Sequence, residues 1–316
     1  MPNVNIGELA ATTMEVYHKT MVDNIFKKRV LMDHLKQNGG VKLYPGGRLI
    51  RVPLMYALNS TVQTFGGTDP LDLTYQNTAD AAEYNYEMYN VSIVFTLEDE
   101  LKNSGEAAVM SLLEAKIKQA EMSLSERVNA DLYNGVAASG EIVGLDTAIS
   151  TTTTLGGISG TSESWWRGNV DATGETLSLS DMRSIKNASN LGNGGSNVSL
   201  IVTTQTLFEK YHSLLTANYQ MNPVTTKESR RIGDAGFTAV EFEGVPVTFD
   251  ESATAGSMYF INKDNFKLGI HKDANFAKVK KSDPADQHLS VQHIVLMAQT
   301  VVDRRKSLGL LSSKTA

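Results

Sequence analysis

Apolar residues recur every three or four positions through 106–134, at Val109, Leu113, Ile117, Ala120, Leu124, Val128 and Leu132. That is the period of one helix face, and the positions between are mostly Glu, Lys, Gln, Ser, Arg and Asn. Ser104-Gly105-Glu106 gives a start signal and Asn134-Gly135 a stop, with Gly135 expected in a left-handed cap. Such a helix would be roughly 44 Å long. With strand-like sequence on both sides, it reads as a spine.

The flanking patterns are shorter. Residues 1–37 read as a helical N-terminal arm, with a loose face at Leu9, Thr12, Val16, Thr20 and Met21 and a second segment from Asn24 through Leu35. Asn38-Gly39-Gly40 ends it. Alternation at period two predicts a strand over 48–56 and a return partner over 83–95. Pro53 puts the first at an edge or a bulge, and a phase slip between Met88 and Val91 predicts a bulge or a change of face. Residues 57–82, between these strands, are rich in Thr, Asn, Gly and Asp. A structureless connection that long is uncommon inside a compact domain, so it is expected to protrude and to be stabilised from outside its own subunit.

After the spine, 142–171 is rich in Gly, Thr and Ser and holds both tryptophans, Trp165 and Trp166. It reads as poor core material, a wrapped segment anchored by its indoles. An α/β unit follows, with helices from Leu179 and Thr206, a buried strand over 198–202 and a hairpin over 237–249 around Glu243-Gly244. Strands are expected over 258–262 and 266–271. Long antiparallel strands over 276–281 and 289–302 and a short one over 308–311 complete the chain.

Composition narrows the function more by exclusion than by suggestion. Absence of cysteine removes disulfides, zinc–thiolate sites and thiol catalysis. A net charge of −6 argues against broad nucleic-acid affinity. No stretch reaches the roughly 18 apolar residues of a membrane span, and the N-terminus lacks a signal-peptide pattern. None of the histidines at 18, 34, 212, 271, 288 and 293 has metal-ligand spacing. Gly157-Ile158-Ser159-Gly160 fails the nucleophile-elbow spacing, and Gly192-Asn193-Gly194-Gly195 fails the phosphate-loop pattern. The triplet Glu98, Asp99, Glu100 suits a helix start better than acid–base work. The chain proposes no catalytic residue, no cofactor and no metal.

Taken in order, the long spine, the excursion before it, the α/β unit after it and the long returning strands resemble the major capsid proteins of tailed bacteriophages. Local sequence carries the resemblance too. Val22-Asp23-Asn24-Ile25-Phe26, Gly46-Gly47-Arg48 and Pro53-Leu54-Met55-Tyr56 are similar to the family's arm and first loop strand. Leu155-Gly156-Gly157-Ile158 with Trp165-Trp166-Arg167 is similar to the segment after its spine. Gly244-Val245-Pro246-Val247, Met258-Tyr259-Phe260-Ile261-Asn262 and Lys267-Leu268 are similar to its axial strands, and Arg304-Arg305 to its closing strand.

The resemblance implies an α+β protein of the Hong Kong 97-like fold. Its parts would be an N-terminal arm (1–44), an extended loop (45–96), and a peripheral domain with the spine (97–175) and long strands (273–303). An axial domain (176–272) would regain the chain at 304–316. It further implies pentamers and hexamers of this chain in an icosahedral virion shell. That shell would be assembled in a bacterial cytoplasm with a portal, and would enclose double-stranded DNA without sequence-specific binding. Members with a built-in scaffold carry an N-terminal extension before the arm, so scaffolding is expected from a separate protein or from a segment outside this sequence. Rival expectations are an encapsulin-like nanocompartment shell and a soluble α/β enzyme with dispersed catalytic residues.

Two expectations concern contacts between copies. Asp69, Asp72, Asp80 and Glu83 on the loop should meet a cationic patch, with Lys278, Lys280 and Lys281 or Arg230 and Arg231 as candidates. Some relatives weld subunits by an isopeptide bond from a loop lysine. Here 52–101 contains neither lysine nor arginine, so the nucleophile is missing, and Lys42 and Lys102 only flank the excursion.

Overall fold

The computed structural model describes residues 29–96, 112–191, 196–217, 240–278 and 289–316. The first element is the helix Val30–Gln37. Its first amide, Val30 N, donates to Asp250 Oδ2 at 3.1 Å. Val30, Leu31, Met32 and Leu35 are buried, and Gly39, at φ 70°, turns the chain after it. Strand β1 (Val41–Tyr44) follows, then β2 (Leu49–Met55) and β3 (Ala79–Asn85), which pair antiparallel from Leu49↔Asn85 to Met55↔Ala79. Strand β4 (Glu87–Thr96) leaves that hairpin to pair elsewhere. The chain therefore changes sheet at Tyr86, ahead of the expected slip between Met88 and Val91, and Met88 is 66% exposed.

The spine is the helix Leu112–Asn134. Ala120, Leu124, Val128 and Leu132 are buried and Ile117 is half-buried. Val109 lies outside the described residues, as does the side chain of Leu113. Gly135 ends the helix for a different reason from the expected one, since it is absent from the positive-φ glycines. A Cβ there would lie 2.2 Å from Ile142 O and 2.5 Å from Asp131 O. Gly144 N donates to Gly135 O at 2.9 Å, and a Cβ on Gly144 would lie 2.6 Å from Tyr133 O. Two glycines thus let backbone close on backbone at the end of the spine.

A short helix, Leu145–Ala148, precedes β5 (Thr154–Leu155), β6 (Ile158–Ser159) and β7 (Asn169–Asp171). The helix Leu179–Asn190 starts on a Ser178 cap that accepts from Asp181 N at 3.2 Å. Then come β8 (Leu200–Thr203), the helix Gln205–Ala217, β9 (Val240–Phe242) and β10 (Val245–Phe249). The turn Glu243-Gly244 has φ of 47° and 80°, the twist of a two-residue hairpin. Strands β11 (Met258–Ile261), β12 (Phe266–His271), β13 (Ala277–Lys278), β14 (Leu289–Val302) and β15 (Gly309–Leu311) complete the order.

Two sheets organise these elements. One has the order β7-β15-β11-β8-β10-β9. Its core joins Ile201, Val247, Met258 and Phe260 with Met182 and Ile185 of one helix and Leu207 and Tyr211 of the other. Gly309 permits that contact, because a Cβ there would sit 2.4 Å from Ile185 Cγ2. The other runs β1-β12-β14-β13, with β4 also on β14. Two stretches pair in ways that the implied domain boundaries do not anticipate. Residues 30–44, read as the end of an arm, are built into the body, by burial of the helix and by parallel pairing of β1 on β12. Residues 266–271, read with the axial strands, pair with Ala298–Val302 of the other sheet.

The chain forms two compact units. The smaller takes its described residues from 90–96, 112–124, 278 and 289–294. Within it, Lys116 Nζ donates to Val94 O at 3.2 Å, Ser92 Oγ and His293 Nδ1 are 3.0 Å apart, and Lys278 pairs with Glu121 at 3.1 Å. The larger unit holds the remaining described residues, including the whole six-stranded sheet. No described helix is long and apolar enough to cross a membrane.

Candidate assembly surface

Between β2 and β3 the chain runs from 56 to 78 without a strand or helix. Its apolar side chains are left outside: Leu58 is 91% exposed, Val62 85%, Leu73 90% and Tyr75 91%. What order it has comes from its own polar groups. Asp69 Oδ2 accepts from Gly66 N at 2.7 Å, while Asp69 N donates back to Gly66 O at 3.0 Å. Asn59 Oδ1 accepts from both Thr61 N and Thr61 Oγ1, and Asp72 Oδ1 does the same for Thr74 at 2.9 and 2.6 Å. The Thr74 hydroxyl, then its amide, hold the Asp72 carboxyl below its ordinary value.

The base of this segment is fixed firmly. Tyr56 N donates to Thr78 O at 3.0 Å and Tyr56 Oη to Asn77 O at 2.7 Å. The Tyr56 ring stacks on Trp165 with centroids 5.0 Å apart and planes 17° from parallel. Glu83 N donates to Gly156 O at 2.9 Å, where Gly156, at φ 62°, lies against Ala82. So the hairpin is clamped to the 142–171 run, and the apolar chain beyond Tyr56 is left uncovered.

The apolar side chains of that run, expected to make poor core material, are core, while Thr151, Thr152, Thr154, Gly157 and 161–164 stay exposed. Ile142, Leu145, Ala148, Ile149, Leu155 and Trp166 are buried. The run is wrapped around Arg305, which is fully buried. The guanidinium donates to Ala148 O at 2.8 Å, Thr153 O at 2.9 Å, Trp166 O at 3.1 Å, Thr147 O at 3.2 Å and Thr153 Oγ1 at 2.9 Å. No carboxylate is among these acceptors, and burial pushes the Arg305 pKa down to about 10. One cation with a fork of five donors satisfies the turn carbonyls that make such a run poor core material when alone.

The four predicted acids lie on the β2–β3 hairpin and its loop. Asp69 and Asp72 sit on the exposed segment, and Asp80 accepts from Ala81 N at its edge. Glu83 has a partner within its own chain, the cross-strand Arg51. Lys278 pairs with Glu121 at 3.1 Å. Lys280, Lys281, Arg230 and Arg231 lie outside the described residues. The sequence reading missed the notch of about 190 Å³ at the loop base, lined by residues of 54–56, 165–166 and 303–306, Asp303 among them. No spacing rule links 56 with 165 and 304–306, since tertiary packing alone brings them together. Among the described residues no group of three His, Cys, Asp or Glu could hold a metal.

No protein-family model and no curated protein matches the sequence. Solved structures do. The cyanophage A-1(L) capsid asymmetric unit is 16% identical with a TM-score of 0.73, covering 99% of this chain and 100% of that one. The capsid of a native GTA particle is 10% identical at 0.69, with 99% of each chain covered. The holo-SrpI encapsulin complex of Synechococcus elongatus is 9% identical at 0.66, covering 100% and 97%. What these likenesses share with the two sheets, the spine helix and the clamped excursion described above is a fold, and that fold is the α+β Hong Kong 97-like capsid fold.

Proposed function

We propose that this chain is a major capsid subunit of a tailed phage or prophage, assembling by itself into an icosahedral shell around double-stranded DNA. The observation that carries the reading is the 56–78 segment. It is clamped at its base, it exposes Leu58, Val62, Phe65, Leu73 and Tyr75, and it lacks a core of its own. Exposed apolar chain of this kind marks a contact surface, and closed symmetric assembly gives every copy a neighbour to cover it. Full-length likeness to the cyanophage and GTA capsids supports the same reading.

In this reading the loop spans 45–85, the spine with the β14 sheet, β4 included, forms the peripheral domain, and the arm expected before Val30 lies outside the described residues. The six-stranded sheet is the axial domain, regained by the C-terminal strand. We assign Val30–Tyr44 and Phe266–His271 to the peripheral sheet. A portal, and scaffolding from a separate protein or a further segment, would act in the host cytoplasm, and the finished chain would reside in the virion. The role is structural, without catalysis.

Expression of the full chain, alone and with a scaffolding partner, followed by electron microscopy, tests this. Closed particles carrying DNA in the native host are expected, and a small soluble oligomer under both conditions would refute it. The encapsulin likeness motivates the second reading, a nanocompartment, which would show a protein cargo in place of DNA. Because 52–101 has no lysine, mature particles boiled in denaturing detergent should run as one band near 34.4 kDa. A heat-resistant ladder would contradict this and point to Lys42 or Lys102.

A further inference from the structure

The notch at the loop base has an apolar, aromatic floor and a cationic rim. Leu54, the Tyr56–Trp165 stack and Met55, itself 81% exposed, form the floor. Arg304 and Lys306, both exposed, form the rim beside Asp303, whose carboxylate is paired with Lys267, and Lys306 makes no ion pair among the described residues. On the free part of the loop the sequence Leu71-Asp72-Leu73-Thr74-Tyr75 offers the complementary chemistry. Asp72 is fully exposed between two exposed leucines, and Thr74 holds only one of its oxygens, Oδ1. Asp69 and Asp72 face no basic residue within their own segment, because 56–78 contains none.

The chain does not fill its own notch with its own tip, since Leu73 remains 90% exposed. The segment is long enough to reach another copy. With 56–78 folded back on itself, each limb of about 11 residues extends up to roughly 35 Å at about 3.3 Å per residue. A contact in which each copy gives a loop and receives one is head-to-tail, the type that closes rings.

We propose that the notch of Met55, Tyr56, Trp165, Arg304 and Lys306 receives the Leu71–Tyr75 turn of a neighbouring copy, a leucine on the aromatic floor and Asp72 at the cationic rim. The proposal rests on the shell reading and replaces Lys278, already paired with Glu121, as the partner of the loop acids.

The natural absence of cysteine makes the test clean. Full-length Leu73→Cys and Met55→Cys are made singly and together, assembled, and oxidised. The double variant should give dimers and higher multimers on a non-reducing gel, and a mixture of the single variants should give dimers. Alongside, Lys306→Glu and Asp72→Lys should each raise the concentration needed for assembly, by about fivefold for a pair of this type, and the double reversal should recover most of it. Circular dichroism monitors the fold, and the disulfide readout stands wherever a charge reversal fails to fold.

Wild-type particles together with no intermolecular disulfide in either format would overturn the notch assignment and leave the shell reading intact. No particles from the wild type under any condition would overturn the shell reading and this proposal with it. Binding of a short single-stranded DNA that Trp165→Ala abolishes, without cross-linking, would give the notch to nucleic acid and also overturn the proposal.

Discussion

Residues 56–78 and 142–171 are built from nearly the same alphabet, Thr, Ser, Gly, Asn and Asp with scattered apolar residues, and they end in opposite places. The first leaves Leu58 at 91% and Leu73 at 90% exposure, while the second takes Ile149 and Trp166 to 1%. The difference is the treatment of backbone polar groups. In 142–171 the carbonyls of Thr147, Ala148, Thr153 and Trp166 meet Arg305, and Thr153 Oγ1 donates to Thr147 O while also accepting from that guanidinium. In 56–78 Asn59, Asp69 and Asp72 satisfy only their own turns. Apolar side chains can be buried only where the backbone beside them is satisfied.

Removing the cation should break the comparison most severely. Arg305→Met deletes five hydrogen bonds and leaves buried carbonyls unpaired, at about 1–3 kcal/mol each, so a loss of about 4 kcal/mol or more is expected. Urea unfolding followed by tryptophan fluorescence measures it. A shift under 1 kcal/mol would mean that the knot does not depend on the guanidinium. Truncating apolar side chains should separate the two runs next. Trp166→Ala is expected to cost about 3–5 kcal/mol, whereas Leu73→Ala should leave the isolated subunit unchanged within about 0.5 kcal/mol.

Deletion of 57–78 sharpens the contrast at the level of function. With Asn-Gly put in its place to close the turn, the cut spares Ala82 and Tyr84, both buried, and the β2–β3 register. Circular dichroism of the deleted chain should match the parent, and electron microscopy should find no closed shells. Unfolding of the deleted subunit would show that the segment belongs to the fold after all.

The smallest effect concerns acid. The Asp72 carboxyl is depressed by the Thr74 hydroxyl and amide, so its turn is complete above the ordinary 3.8 and is lost as pH falls through the lower folded value. NMR titration should place Asp72 below 3.8, and Thr74→Ala should move it up toward that value. A titration unmoved by Thr74→Ala would remove these bonds as the cause. Acid should leave the Arg305 knot untouched, since its acceptors are neutral.

Much of the architecture could be read from residue order. The stripe through Ala120, Leu124, Val128 and Leu132, the Glu243-Gly244 hairpin, the Ser178 start and the long 289–302 strand are local patterns whose period or turn chemistry declares itself. The protruding excursion was legible as well, because its length and its lack of neighbours at period two already excluded a packed strand. Gly135 was recognised as a stop, but for the wrong reason, since its close approach to Ile142 O involves a residue seven positions away. The notch was illegible because it joins 55–56, 165 and 304–306 through packing alone.

What the sequence determined by itself was set by neighbours a few positions apart: the spine, the β2–β3 excursion, the hairpin at Glu243-Gly244 and the long last strand, with the absence of basic residues from 52–101. The strand 41–44, the helix 145–148 and the short strands of 154–171 were not among them. Tertiary structure decided which sheet Phe266–His271 joins, that Val30–Tyr44 pairs and packs within this chain, and that the apolar side chains of a Thr- and Gly-rich run are buried. The physical reason is that burial of a polar backbone depends on distant donors. Arg305 lies some 140 to 160 positions along the chain from the carbonyls it satisfies, and no local pattern in 142–171 reveals that it will be there.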